Sequence, residues 1–251
     1  MTNTLRLKET GQNCTINKYL EFQGEHSKMN AVILFACDHN DGLTTRDMFR
    51  EVLGKPFIAW TLETLEHLEC VELIEVVCPQ SLEEEMAGLF ESYALQKTMV
   101  IVPPGECEEE NYVNGLLGIS DMMEYNSNVL FYDAALPMFD PSIIEDAFKQ
   151  VEEYHAVISD PNNDGTNETV ADSDMFNNFP QAYHYGELTD LYLRATEANP
   201  DEGRYNAPST LMLLYGKSIA TSKGDKNNIE IKSVDDYYKF GEFLQKRIEE
   251  A

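Results

Sequence analysis

Apolar residues fall along this chain in short continuous runs, separated by longer stretches with helical period. Ala31-Val32-Ile33-Leu34-Phe35 is apolar without a break, as suits a strand covered on both faces. The same pattern predicts strands near 31–35, 73–77, 99–102, 129–132 and 156–159, with a last one at 217–221. Between them, residues 57–68 carry Phe57, Trp60, Leu62, Leu65 and Leu68 with acids interspersed, the mark of an amphipathic helix. Helices are also predicted over 81–95, 111–123, 142–154, 186–197, 208–215 and 234–248, the first opened by Ser81-Leu82-Glu83-Glu84 in capping-box form. Strands alternating with helices predict an α/β fold: a mainly parallel sheet wrapped on both faces. Residues 160–179, rich in Asn, Asp and Gly, read as a loop or short hairpin. Residues 1–28 are polar and aperiodic, an extension ahead of one domain over 29–251.

Charge changes the picture most. Forty-five acidic residues stand against 18 basic ones, a net charge of −27. Such a field repels nucleic acid and anionic membranes, gives a triphosphate no general help, and favours a basic protein partner or plain solubility. The acid runs 83–85 and 108–110 read as solvated helix amino termini, where carboxylates favour the helix dipole. Five scattered cysteines and no apolar run of membrane-spanning length predict reduced thiols, no membrane span and a cytoplasmic setting. Tyr183-His184-Tyr185 reads as an aromatic patch with a structural role.

Candidate chemistry gathers where the fourth strand ends. In open α/β sheets ligands sit beyond the carboxyl ends of the strands, which singles out Asp133 in Val129-Leu130-Phe131-Tyr132-Asp133-Ala134-Ala135-Leu136-Pro137. An apolar strand, Asp-Ala-Ala-x-Pro and a helix together resemble the signature of the 2-C-methyl-D-erythritol 4-phosphate cytidylyltransferases and their ribitol-phosphate relatives. Other pieces follow in the same order: Gly54-Lys55-Pro56, Asn114-Gly115-Leu116, Pro180-Gln181-Ala182, Gly224-Asp225 and Asn228-Ile229. The resemblance implies a Rossmann-like nucleotidyltransferase fold of the glycosyltransferase-A type. It also implies transfer of CMP from CTP to a sugar or polyol phosphate with Mg²⁺. The nucleotide-binding equivalents it marks are Ala36, Gly105, Asn111, Asp133, Ala134 and Gln181, with Asp133 also the candidate metal ligand.

The chemistry of that transfer needs amides around phosphates, cations on the developing charge and a carboxylate for the metal. Measured against it, the chain departs from the family almost wherever a cation is required. The family's glycine-rich phosphate loop reads Ala36-Cys37-Asp38-His39-Asn40-Asp41-Gly42-Leu43, and its lysine is Asp47. The arginine of the base-reading turn is Glu108, that of Asp-Ala-Ala-Arg-Pro is Leu136, and the lysine of Asn-Ile-Lys is Glu230. Arg46 and Arg50 are the cations that a shifted loop brings nearest. Asp38, Asp41, Asp133 and Glu230 are expected to line the cleft, with Asp47, Glu106 and Glu108 nearby.

Two functions follow. In the first, the chain has lost catalysis and works as a binding or regulatory protein. In the second, it is an active nucleotidyltransferase with a remodelled site, using CTP, Mg²⁺ and a sugar or polyol phosphate. For Asp133 the competing role is structural, capping the turn that follows it. The resemblance also implies a homodimer built through an arm between the fifth strand and Pro180. Here only residues 160–179 fill that place, so the arm-exchanged dimer is expected to be weakened or replaced.

Overall fold

The computed structural model describes residues 28–37, 44–163, 178–199 and 206–250. Its strands are β1 (Asn30–Phe35), β2 (Glu51–Val52), β3 (Lys55–Pro56), β4 (Leu73–Val77), β5 (Thr98–Val102), β6 (Asn128–Asp133), β7 (Ala156–Asp160), β8 (Gln181–His184) and β9 (Ile219–Lys223). Its α-helices are α1 (Phe57–His67), α2 (Glu83–Ser92), α3 (Glu108–Gly118), α4 (Ser142–Val151), α5 (Tyr185–Ala198), α6 (Pro208–Leu214) and α7 (Val234–Glu250). Seven strands form one sheet in the order β5-β4-β1-β6-β8-β7-β9, and β2 pairs with β3 in a separate hairpin. Every neighbouring pair in the large sheet is parallel except those made by β8, which runs antiparallel to both β6 and β7.

The continuous apolar runs are central strands because side chains alternate between two covered faces. On one face Val32, Leu34, Ile74 and Val76 pack with Leu62 and Leu65 of α1, Met86 of α2, Phe148 of α4 and Phe240 and Leu244 of α7. On the other, Ile33, Leu73, Val77 and Phe131 pack with Val113 and Leu116 of α3, Leu188 of α5 and Leu211 of α6. The mainly parallel sheet with helices on both faces is the fold the alternation predicts.

Two local expectations are corrected, and two features the sequence did not declare are added. Ser81 does not cap α2: Gln80–Leu82 forms a 3-10 turn and the helix starts at Glu83 without a side-chain cap. The reciprocal capping box sits instead at Thr44 and Asp47, opening the 3-10 helix Thr45–Phe49. There the Thr44 hydroxyl accepts from the Asp47 amide at 3.3 Å and Asp47 Oδ2 accepts from the Thr44 amide at 3.1 Å. The Tyr183 patch is the edge of β8, whose four residues carry too little pattern to declare a strand. Finally, α3 begins three residues before the predicted 111, so Glu108–Glu110 form its first turn and Glu110 is buried rather than solvated. Most of the 160–179 segment, with the proposed arm, lies outside the described residues.

Candidate functional site

A cleft of about 570 Å³ opens at the carboxyl end of the sheet, over β1, β4, β5 and β6. Phe35 and Phe179 form its apolar side, Cys37 and Asp133 close the strand ends, and Gly105, Glu106, Cys107, Glu108, Glu109 and Asn111 form its opposite wall. Four carboxylates thus face the cleft: Glu106, Glu108, Glu109 and Asp133. No lysine or arginine lines it among the described residues. The stretch 38–43 that follows Cys37 in sequence lies outside the described residues, Asp38 and Asp41 with it, and it contains no lysine or arginine.

The wall is built by the turn between β5 and α3. Asn111 Oδ1 accepts the Gly105 amide at 2.8 Å, and Glu110 Oε2 accepts the Glu106 amide at 2.6 Å. Asn114 Nδ2 donates to the Pro103 carbonyl at 3.3 Å. The turn is therefore tied down by the helix that follows it. Its glycine is needed for closeness: a Cβ on Gly105 would lie 2.1 Å from Glu110 Cβ. Two amides at this position, which could otherwise face a ligand, are held by the chain's own side chains.

The opposite strand end is tied from farther away. Asp133 Oδ1 accepts the Ala135 amide at 2.8 Å, the turn-capping role that competes with metal binding. Asn228 then locks the turn: its Nδ2 donates to the Tyr132 hydroxyl at 2.8 Å and its Oδ1 accepts the Met138 amide at 2.9 Å. The Tyr132 hydroxyl donates onward to the Leu136 carbonyl at 2.7 Å, and the Ile231 amide to the Ala135 carbonyl at 2.8 Å. Leu136, in the place of an arginine, packs against the α1/α4/α7 core rather than reaching outward.

The electrostatic character of the cleft is written on Tyr112, the α3 residue beneath it. Burial is the largest cause pushing its phenol well above the usual value, and Glu108, Asp133 and Glu109 push in the same direction. The ring meets Phe35 and Phe131 edge-on, with centroids 5.1 and 4.9 Å away.

Of the residues marked from sequence, the structure brings Gly105, Asn111 and Asp133 together around the cleft, with Glu106 and Glu108 beside them. It places the others elsewhere. Ala36 is buried at the end of β1, its amide bonded to the Val77 carbonyl at 2.9 Å. Ala134 is buried in the turn below Asp133. Gln181 lies inside β8, its amide group on the Asn178 carbonyl at 2.9 Å and its oxygen accepting from Tyr183 at 2.7 Å. Arg46 points away, its guanidinium on Glu85 of α2 at 3.1 Å, and Arg50 pairs with Asp47 at 2.8 Å. Glu230 pairs with Lys232 at 2.9 Å and lies off the cleft wall. Asp47, at the family's lysine position, is spent on its capping box. The sequence reading missed Phe179, Cys107 and Glu109 as cleft residues; only the position of Phe179 just before Pro180-Gln181 hinted at it.

Mg²⁺ takes oxygens in octahedral array, commonly one or two carboxylates with the rest from substrate phosphate or water. Asp133 offers one carboxylate, but among the described residues no three His, Cys, Asp or Glu side chains converge on a point. The described residues alone do not make a resident metal site.

The profile of the 2-C-methyl-D-erythritol 4-phosphate cytidylyltransferases matches this chain over residues 41–246. The chain belongs to that family. Among curated relatives, a ribitol-5-phosphate cytidylyltransferase from Vibrio parahaemolyticus is 26% identical over 230 residues, 84% of this chain and 94% of the relative. A 2-C-methyl-D-erythritol 4-phosphate cytidylyltransferase from Clostridium botulinum is 25% identical, covering 86% of this chain and 98% of its own. Among solved structures, the 4-diphosphocytidyl-2C-methyl-D-erythritol synthase of Anaerococcus prevotii superposes with a TM-score of 0.68 at 18% identity, over 87% of this chain and 99% of its own. The fold is thus that of the cytidylyltransferases, and the cleft wall and the Asp133 turn occupy the strand ends where such folds hold ligands. No helix among the described residues is long and apolar enough to cross a membrane.

Proposed function

We propose that this cytidylyltransferase-family chain no longer transfers CMP and that its cleft receives a positively charged ligand, a basic segment of a protein partner. One observation carries the reading: four carboxylates line the cleft and, among the described residues, no lysine or arginine does. Two unit charges of like sign about 4 Å apart repel by about 1 kcal/mol in bulk water and about 4 kcal/mol at an effective dielectric of 20. A triphosphate entering among Glu106, Glu108, Glu109 and Asp133 meets several such pairs. The turn that would present amides to it spends two of them on Asn111 and Glu110. Those same carboxylates attract a guanidinium or ammonium, and Phe35 and Phe179 offer apolar surface to its stem.

A second reading, active transfer to a sugar or polyol phosphate, is favoured by the near-complete coverage of catalytically named relatives and by the retained Asp133-Ala134-Ala135 turn. Titration calorimetry separates the two. The expected result is no heat with CTP and Mg²⁺ at about millimolar concentration. No pyrophosphate should be released with ribitol 5-phosphate or methylerythritol phosphate. A micromolar CTP constant, or transfer, establishes the second reading. A single reversion such as Leu136→Arg leaves transfer absent, because the phosphate loop and Asp47 remain as they are. If a cationic segment is the ligand, a polyarginine peptide binds at low salt and is displaced as screening rises.

A further inference from the structure

β4 carries an acid where the pattern asks for a hydrocarbon: Leu73-Ile74-Glu75-Val76-Val77, all buried. Glu75 is 0% exposed, and among the described residues neither carboxyl oxygen meets a hydrogen-bond partner. It faces the α3 side of the sheet, paired in register with Ile33 on β1 and Val100 on β5, next to an irregularity in the β4–β5 ladder. The space it fills is made by two glycines one turn apart on α3. A Cβ on Gly115 would lie 3.0 Å from Oε1, and one on Gly118 would lie 2.1 Å from Oε2. Gly115 lies inside α3, where glycine costs about 1 kcal/mol relative to alanine, and Gly118 ends it, so the first marks a close approach that the helix keeps at its own expense.

The groups around this carboxyl offer an anion nothing. Across α3 stand the two glycines and Leu116; across the sheet, Ile33 and Val102. From α5 comes the Tyr185 phenol, whose hydroxyl donates to the Leu116 carbonyl at 3.2 Å. Asp121, just beyond α3, shares the Tyr185 neighbourhood with Glu75 and adds only negative charge. Burial alone drives the Glu75 carboxyl well above the ordinary range. An unpaired carboxylate in such surroundings is expensive enough that the group stays a neutral acid or the surroundings move. What lies directly on it is α3, an 11-residue rod about 16 Å long whose Gly115 and Gly118 meet the carboxyl while Tyr112, Val113 and Leu116 pack on the sheet beside it.

The far end of that rod is the cleft wall, through Glu110 and Asn111 and the amides they hold. We propose that the neutral Glu75 carboxyl is a latch seating α3 on the sheet, and that release of its proton to solvent lifts the helix and loosens the 103–107 turn. The chemistry is a single step, carboxylic acid to carboxylate plus a solvated proton, and it is independent of what the cleft binds. The sign follows from the direction of the shift. A carboxyl whose folded value lies above its unfolded value of 4.5 gives stability that is complete below that value and is lost as pH rises through the folded one.

Hydrogen exchange of the intact protein tests this, followed upward from the unfolded value of 4.5 to the onset of alkaline unfolding and corrected for the intrinsic pH dependence of amide exchange. In the wild type, protection of α3 and the 103–107 turn should fall by about tenfold or more across the series, while α2 on the other face keeps its protection. Glu75→Gln, which keeps the shape and removes the proton, should show a flat profile in α3. Equal pH dependence in the variant and the wild type overturns the proposal. If the variant does not fold, the wild-type series still decides: loss confined to α3 and its turn supports the latch, and uniform loss across α2 and α3 refutes it. Infrared spectroscopy gives an independent reading, since a carboxylic acid carbonyl band must persist above the unfolded value of 4.5 and vanish where the α3 protection falls.

Discussion

The two strand ends that frame the cleft are held in opposite ways. The turn after β6 is secured from 90 residues away, by Asn228 on Tyr132 and Met138. The turn after β5 is secured from within six residues, by Glu110 and Asn111 on the amides of Glu106 and Gly105. The first tie belongs to the scaffold, because it joins the end of the sheet to the segment leading into α7. The second is local, made by one acid and one amide in the first turn of α3. A scaffold fixed by distant contacts can stay constant while a locally closed wall changes its charge.

Breaking the distant tie should have the largest effect. Asn228→Ala removes two bonds and frees the 133–138 turn, with an expected loss of about 2–3 kcal/mol in urea unfolding. Gly105→Ala attacks the local tie by collision and should cost about 1–3 kcal/mol, less if the turn can swing outward. The comparison predicts that only Asn228→Ala disturbs the packing of Tyr132 and Leu136, which chemical shifts of those residues would report. If Gly105→Ala disturbs them equally, the two ends are not independent.

Asp47→Lys sharpens the contrast, since it restores a family cation at the expense of a local cap. It should cost about 1 kcal/mol and still leave CTP unbound. The Thr44 hydrogen bond, chief among the causes, holds the Asp47 carboxyl below its usual 3.8. Its stabilisation is therefore present above that value and fades as pH falls through the lower folded one. The cost of Asp47→Asn, measured by unfolding across the acid range, should shrink in that window. The smallest effect is expected for Arg46→Ala. Its pair with Glu85 is solvent-exposed, and such pairs contribute about 0–1 kcal/mol. A loss of catalytic or binding function from Arg46→Ala would show that the cation reaches the cleft after all.

Much of the fold was legible because buried parallel strands leave unbroken apolar runs, and five of them appear where the letters place them. What escaped depends on neighbours distant in sequence. β8 has four residues and inserts antiparallel between strands reached by other routes. The acid runs show the limit of a purely local reading. Glu83–Glu85 do open a solvent-facing helix, but Glu110 is covered because its own turn folds back over it. Family membership was readable from motif order, and the loss of cations from the motifs themselves. That Gln181 would turn inward and Arg46 away was not, since letters give no side-chain direction. Glu75 stood in plain view as the one acid in an apolar run. Its meaning required the two glycines of α3, about 40 residues on, to be seen lying over it.

Phe179 belongs to both halves of the molecule. It lines the cleft, and it packs against the cluster beneath α1 and α4 as well as the one beneath α3 and α5. Elsewhere the sheet divides the interior into two populations of side chains whose replacements need not be coordinated. At Phe179 that freedom ends. A lineage altering its ligand can rewrite the acidic wall one residue at a time, but a change at this ring must be acceptable to two interiors and a binding surface together. Where another side chain stands in place of the ring, partners from both clusters should be found to have changed with it.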